Sequence, residues 1–126
     1  KELADKGPCV IIGRCADYAL EFNDRHLSVF LHAGLETRIR RIAALYDITN
    51  AKARERITKA DKSRSSYYNY YTNKKWGAAE SYNLILDTGL LGIDGSIEMI
   101  KKAVEVKEKG TAHPIYKEPM YSSVND

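Results

Sequence analysis

Three short apolar runs divide this chain and restrict the folds that it can adopt. They lie at residues 9–12, 27–31 and 84–86, and turn-forming residues border each of them. Each run has the length of a strand and is rich in β-branched or large apolar residues. Strands of a parallel sheet are buried on both faces, so they read as continuous apolar runs. The three runs therefore predict three parallel strands.

Helical patterns occupy the segments between these runs. Residues 35–46 carry apolar side chains at helical spacings, namely Leu35, Ile39, Ile42 and Tyr46. The other predicted helices cover residues 16–22, residues 50–71, and a segment that starts after an N-cap at Asp94 and ends at Gly110. Thr49 or Asn50 is the expected N-cap of the long helix. Because strands and helices alternate, the pattern predicts an α/β fold with a parallel sheet and flanking helices.

The composition is that of a globular protein. The chain has 126 residues, of which 44% are hydrophobic and 29% charged, with a formal net charge of +3. We expect one domain at residues 1–110 and an extended tail at 111–126, which carries two prolines. No apolar run approaches the roughly 18 residues of a membrane span, and no secretion signal opens the sequence. Cys9 and Cys15 lack metal-binding spacing, which favours a cytoplasmic protein with reduced thiols and no metal ligands.

Positive charge is concentrated in one segment. Residues 49–75 contain eight lysines and arginines against two acidic residues. Arg56, Lys59 and Lys62 follow one another at a spacing of three, which would place them along one side of a helix. Such cations could close over a polyphosphate, because phosphoryl transfer spreads negative charge over the transferred group. A solvated helix face with ion pairs four residues apart explains the same pattern, so both interpretations stay open.

Further arginines suit a phosphate or a carboxylate. Arg14 follows the first predicted strand, and ligands of open α/β sheets bind beyond the carboxyl ends of the strands. Arg38 and Arg41 lie three residues apart on the helix predicted at 35–46. Ordinary surface charge is the alternative for all three. The tyrosines of residues 67–71 suit either stacking on bases or packing against a neighbouring element.

A series of short motifs also runs along the chain. In order, they are Gly13-Arg14-Cys15-Ala16-Asp17, Phe30-Leu31, Arg38-Ile39-Arg40-Arg41-Ile42, Ile57-Thr58-Lys59-Ala60-Asp61-Lys62-Ser63-Arg64, Tyr67-Tyr68, Tyr71-Thr72, Trp76-Gly77 and Tyr82-Asn83-Leu84-Ile85-Leu86-Asp87-Thr88. This order resembles the cytidylate kinase-like family of P-loop kinases over residues 1–106. The ordered series is more specific than any one motif within it.

The resemblance implies a nucleoside monophosphate kinase type of fold among the P-loop NTP hydrolases. It implies that ATP, with Mg²⁺ bridging its phosphates, donates its γ-phosphate to a nucleoside monophosphate such as CMP. The region of residues 50–75 would be the lid that closes over the phosphates. The implied catalytic residues are Lys59, Lys62, Arg64 and Arg41, and the implied substrate-binding residues are Arg14, Asp17 and Arg38.

The family's glycine-rich phosphate-binding loop has no counterpart in this sequence. That loop ends in Gly-Lys-Ser/Thr, and the dipeptide Gly-Lys does not occur here. Residues 2–4 also resemble the last turn of a helix. We therefore expect a chain that is incomplete at its N-terminus, that supplies lid and acceptor-side residues, and that is inactive alone.

Two other classes of function stay open. A catalytically inactive kinase-like domain that binds other proteins would share these motifs. A nucleic-acid-binding module would use the basic helix and the tyrosines. The cations sit at lid-like positions, however, and the rest of the chain is not basic. We therefore expect nucleoside triphosphates and monophosphates as partners, and neither nucleic acid nor a membrane.

Overall fold

The computed structural model describes residues 2–13 and 15–110. Its elements are α1 (Glu2–Lys6), α2 (Ala16–Ala19), β1 (Val29–His32), α3 (Leu35–Tyr46), α4 (Asn50–Thr72), a 3₁₀ turn (Ala79–Ser81), β2 (Leu84–Asp87) and α5 (Thr88–Glu108). The chain up to Leu91 forms one compact unit, and the chain from Gly92 forms a second.

β1 and β2 lie side by side as a parallel pair, with Val29 opposite Leu84. The chain between them passes through α3 and α4, because parallel strands need a long crossover connection. Ser28 and Asn83 join the two strands at their entry. The amide and hydroxyl of Ser28 donate to Asn83 Oδ1 at 2.9 and 3.0 Å. The chain is thus a small α/β protein with a two-stranded parallel sheet and flanking helices, which confirms that part of the prediction.

The strand predicted at residues 9–12 is wrong. These residues have no regular secondary structure, and Val10 and Ile12 are 91% and 89% exposed. A strand exists only where its backbone pairs with a neighbour. Among the described residues, β1 and β2 pair with each other and with no third strand. An apolar run predicts burial but does not supply the pairing partner. The helix predicted at 16–22 is also too long, because α2 ends at Ala19.

The two helices predicted at 35–46 and 50–71 are confirmed as α3 and α4, which together form a helical hairpin. Thr49 caps α4 as predicted, since its hydroxyl accepts from the Lys52 amide at 3.2 Å. The core of the α3–α4 hairpin consists of Ile39, Ala53 and Ile57, with Ile42, Ala43 and Ile48 packed around them. The fully covered Ala53 is small enough to let the two helices approach each other closely.

The loop after α4 folds back onto β1 through aromatic contacts. The ring of Phe30 meets Trp76 edge-on at 5.2 Å and Tyr82 at 4.9 Å between centroids. Gly77 is required between them, because its φ is +80° and a Cβ there would lie 3.3 Å from the Phe30 ring. These contacts hold the C-terminal end of α4 against the sheet.

A short helical stretch precedes the last predicted helix. Asp87 Oδ1 accepts from the amides of Gly89 and Leu90 at 2.8 and 3.2 Å, so Asp87 caps α5 at the end of β2. The helix predicted to start after Asp94 corresponds to the part of α5 that follows a non-helical residue, Gly92, so its predicted start lies within about two residues of the observed one. The short helical stretch between Asp87 and Gly92 has no counterpart among the predicted helices.

α5 is interrupted at Gly92, whose φ of 71° and ψ of 178° are not helical. The helix ends at Glu108, and Gly110 has a φ of +66°, which agrees with the predicted end. The predicted tail at 111–126 lies outside the described residues. None of the described helices combines the length and the apolar content needed to cross a bilayer.

Replacement of Ile39 by Ala should lower the free energy of unfolding by about 2–5 kcal/mol, because it leaves a cavity in the hairpin core. Ile39 is 3% exposed. Urea unfolding followed by circular dichroism measures the change. The matched control Ile12→Ala removes the same atoms from an exposed side chain and should cost less than about 0.5 kcal/mol. Equal losses in the two variants would contradict this assignment of the core.

Candidate functional site

A cleft of about 330 Å³ runs along the α3–α4 hairpin. It is lined by Arg38, Arg41, Ile42, Tyr46, Arg56, Ile57, Ala60 and Arg64. We call it the arginine cleft. Four guanidinium groups thus surround a floor that is mainly apolar. Because arginine presents a planar fork of donors that matches phosphate and carboxylate, the arginine cleft suits a ligand with several negative charges.

Arg41 connects the arginine cleft to the sheet. Its Nη1 and Nη2 donate to the hydroxyl and carbonyl oxygens of Thr88 at 2.9 and 2.7 Å. The Thr88 hydroxyl in turn donates to the carbonyl oxygen of His32 at 3.1 Å. His32 ends β1 and Thr88 follows β2 directly, so Arg41 is fixed at the carboxyl ends of both strands. This is the edge at which open α/β sheets bind ligands.

Arg38 and Arg64 approach one carboxylate. Arg38 Nη2 donates to Asp61 Oδ1 at 2.6 Å, and Arg64 Nη1 lies 3.9 Å from the same oxygen. Arg38 belongs to α3, whereas Asp61 and Arg64 belong to α4. The structure therefore brings together three of the predicted site residues, Arg38, Arg41 and Arg64, from two helices.

Arg56 is a cleft residue that the sequence-based set of site residues omitted. Its Cζ lies 4.1 Å from the centroid of the Tyr46 ring, which is a cation–π contact. The sequence signal for Arg56 was its spacing of eight residues from Arg64, with Ala60 midway, since such residues share a helix face. The spacing of three that relates Arg56 to Lys59 and Lys62 had instead grouped Arg56 with the two lysines, on a different side of the helix from Arg64.

Lys59 and Lys62 lie outside the arginine cleft. Lys59 is 79% exposed and lies 3.7 Å from Glu55, one turn back on α4. Lys62 is exposed as well. At 3.6 residues per turn, two residues rotate the helix by about 200°, so Lys62 and Arg64 project from nearly opposite sides, and Arg64 reaches the cleft while Lys62 faces away. The phosphate-binding role of both lysines stays a prediction. Arg14 lies outside the described residues.

Asp17 lies in a second, smaller crevice of about 160 Å³. Its Oδ2 accepts a hydrogen bond from the Tyr68 hydroxyl at 2.6 Å. Nearby, Lys74 Nζ donates to Glu21 Oε2 at 3.0 Å. We call this the Asp17 crevice. It is polar, with charges of both signs, and Asp17 does not share the arginine cleft with the predicted phosphate-binding residues.

Burial controls the protonation of the groups around Asp17. Desolvation, followed by the hydrogen bond to Asp17 and the charge of that carboxylate, raises the pKa of Tyr68 above its ordinary value. Burial is also the main cause that raises the pKa of Tyr82 and that of the Cys15 thiol. Cys15 is therefore a thiol at neutral pH, and nothing here activates it as a nucleophile.

The described part of the chain contains no cluster of side chains that could bind a metal ion. Among residues 2–13 and 15–110, no three His, Cys, Asp or Glu side chains come together as a metal site would require. The chemistry that the site offers is thus the binding of negative charge by fixed guanidinium groups.

Comparison with known proteins identifies the family. The sequence profile of the cytidylate kinase-like family matches residues 1–90, and the chain belongs to that family. It is 27% identical over 113 residues to a cytidylate kinase of Methanopyrus kandleri, which covers 83% of this chain and 58% of that enzyme. A crystal structure of an uncharacterized protein from Eubacterium ventriosum superimposes with a TM-score of 0.78 at 29% identity. That match covers 81% of this chain and 57% of the other. The chain thus spans a little over half of each of these two relatives.

Tyr68→Phe should change the dependence of stability on pH. Unfolded tyrosine ionises near pH 10, whereas folded Tyr68 keeps its proton to higher pH. Above about pH 10 the unfolded chain then binds fewer protons, so the free energy of unfolding falls as pH rises. Without the phenol, this fall should be shallower by up to about 1.4 kcal/mol per pH unit. Urea unfolding between pH 8 and 11 measures it.

At neutral pH the same variant should lose about 1–3 kcal/mol, because Asp17 loses its donor. Tyr70→Phe is the control, since Tyr70 is an exposed tyrosine of the same helix and should change stability by less than about 0.5 kcal/mol. An unchanged slope in Tyr68→Phe above pH 10 would contradict the assignment.

Proposed function

We propose that this protein acts as a nucleotide kinase that transfers the γ-phosphate of ATP to a nucleoside monophosphate such as CMP. The observation that carries the proposal is the convergence of Arg38, Arg41 and Arg64 on one cleft at the carboxyl ends of the strands. Membership of the cytidylate kinase-like family supports it.

The arginine cleft has the features that phosphoryl transfer requires of a protein. The reaction needs positioned phosphates and compensation of the charge that spreads over the transferred group, and it needs no attacking side chain. Guanidinium groups that are already held in place act without reorganisation, which makes their stabilisation effective. Ile42, Ile57 and Ala60 contribute apolar surface beside those charges. In this proposal the arginine cleft binds the phosphates of the triphosphate.

The remaining predicted residues have more distant roles in the proposal. Asp17 and Arg14 would face the acceptor, with Tyr68 holding the Asp17 carboxylate in one orientation. Lys59 and Lys62 would attract the anionic ligand from the outer face of α4 by long-range electrostatics rather than by contact. The movement of residues 50–75 as a lid belongs to the same proposal.

The P-loop type of fold and Mg²⁺ are also parts of the proposal. Magnesium bound to nucleotides is usually held by phosphates, water and only one or two carboxylates. In the proposal Mg²⁺ arrives with the nucleotide, since the described residues contain no cluster of metal-ligating side chains. We place the protein in the cytoplasm, where ATP is abundant and the free thiols of Cys9 and Cys15 would stay reduced.

A catalytically inactive, kinase-like interaction domain is the second candidate. Val10, Ile12 and Phe22 are almost fully exposed, and exposed apolar side chains of this size are typical of contact surfaces. This candidate predicts no turnover with any nucleotide, so one assay separates the two.

A coupled assay of ADP release should detect turnover when ATP, Mg²⁺ and an acceptor are present. The acceptors are CMP, UMP, dCMP and AMP, tested on this chain and on the longest polypeptide that its gene encodes. We expect no release from this chain alone, and from the longer polypeptide we expect release that depends on the acceptor and is fastest with CMP. Absence of acceptor-dependent release in both proteins would overturn the kinase proposal and favour the interaction domain.

Arg41→Gln and Arg64→Gln should each weaken the binding of inorganic tripolyphosphate by about tenfold or more, because each removes a charged hydrogen-bond donor from the cleft. Isothermal titration calorimetry at fixed ionic strength measures the affinity. Where turnover is detected, its rate should fall on the order of 10²-fold.

The matched control is Arg54→Gln. Arg54 lies on α4, as Arg64 does, but pairs with Glu36 at 3.2 Å on the exposed surface, outside the arginine cleft. It removes the same charge and should change the affinity by less than about twofold. Equal weakening in all three variants would show non-specific attraction and would remove the arginine cleft as the binding site.

A further inference from the structure

Asp61 lies between two arginines of the cleft. Its Oδ1 accepts from Arg38 Nη2 at 2.6 Å and lies 3.9 Å from Arg64 Nη1. One carboxylate oxygen therefore joins guanidinium groups from α3 and α4. Without it, two like charges would face each other across the hairpin and repel.

The position of this oxygen is one that a phosphate oxygen could take. Charge-assisted contacts between guanidinium and phosphate have the short N–O distances that Arg38 and Asp61 show. The side chains of Arg38 and Asp61 are 29% and 30% exposed, so the pair is partly buried but still in contact with solvent. A ligand with several negative charges can displace this single carboxylate, because it offers more charge and more acceptor oxygens to the two guanidinium groups.

We propose that Asp61 is a positioning residue that stands in for a phosphate when no nucleotide is bound. It keeps Arg38 and Arg64 directed at the arginine cleft and releases both guanidinium groups to the phosphates on binding. This inference rests on the proposed function, because it takes the arginine cleft as a polyphosphate site. Asp61 has two opposite effects on binding. It competes with the ligand, which weakens the affinity, and it holds the arginines in the orientation that binding needs, which lowers the entropic cost of binding.

Asp61→Asn tests the competition directly. With inorganic tripolyphosphate as the probe in isothermal titration calorimetry, the variant should bind about two- to fivefold more tightly than the wild type, because the competing charge is gone. Asp61→Glu keeps that charge and should stay within about twofold of the wild type. Tightening by Asp61→Glu as large as that by Asp61→Asn would overturn the inference.

Glu55→Gln is the matched control for net charge. It removes one negative charge from the same helix, where Glu55 lies 3.7 Å from Lys59 outside the cleft. Its effect on tripolyphosphate affinity should be less than half that of Asp61→Asn. Equal tightening in the two variants would reduce the effect to overall charge and would overturn the inference.

A second measurement distinguishes an Arg38–Asp61 contact that is replaced by the ligand from an ion pair that has only a structural role. Arg38→Gln, Asp61→Asn and the double variant form a cycle whose coupling in urea unfolding reports the Arg38–Asp61 contact. The coupling should be present in the free protein and absent with saturating tripolyphosphate, because Arg38 has then changed partner. Coupling that survives saturation would overturn the inference even if Asp61→Asn binds more tightly.

Failure of the inference differs from failure of the proposed function. If the wild type binds tripolyphosphate and Asp61→Asn binds it equally or more weakly, the inference falls and the arginine cleft remains a phosphate site. If the wild type shows no binding at all, the proposed function falls and the inference falls with it.

Discussion

The contact of Ile39 with Ala53 and Ile57 sets the geometry on which the arginine cleft depends. Arg38 directly precedes one of these core residues, and Arg56 directly precedes another. Burial of Ile39, Ala53 and Ile57, which form a hydrophobic seam between the helices, therefore fixes the rotation of both helices about their axes. The arginines next to these residues then lie at the edges of the seam. Four like charges repel when they are brought together, and the hydrophobic seam offsets that repulsion.

Partners within the protein restrain the arginines of the cleft. Arg38 is bonded to Asp61, Arg41 to Thr88, and Arg56 lies over Tyr46. A long side chain loses rotational freedom when a ligand immobilises it, and contacts that already restrain it reduce this loss. Contacts within the protein therefore already restrain these three arginines, which would lower the cost of binding the anion that we propose. Arg41 is tied to the carboxyl ends of β1 and β2, which relates the hairpin to the sheet.

α4 contributes to both candidate binding regions. Arg64 faces the arginine cleft, and Tyr68, one turn further along, donates to Asp17. At 1.5 Å per residue, the two positions are about 6 Å apart along the helix axis. A rigid helix thus links Arg64 of the arginine cleft to Tyr68, which donates to Asp17. Any displacement of α4 would alter both regions together, which is compatible with the lid that we propose.

The sequence by itself determined the local elements, because their signals are local. The helices at 35–46 and 50–71, the Thr49 cap and the strands at 27–31 and 84–86 follow from apolar spacing and capping chemistry, and α3, α4, β1 and β2 confirm them within one or two residues. The order of short motifs was enough to identify the family.

Only the tertiary structure decided which of these segments pair with another strand and which side chains reach the cleft. The run at 9–12 has the composition of a strand but pairs with no described strand, and Asp87 starts a short helical stretch that the sequence did not predict. Among the cations of α4, rotation about the helix axis turned Arg56 and Arg64 to the cleft and left Lys59 and Lys62 outside it. Charge composition predicts that an anion binds, whereas the selection of the binding side chains depends on which helix face the core buries.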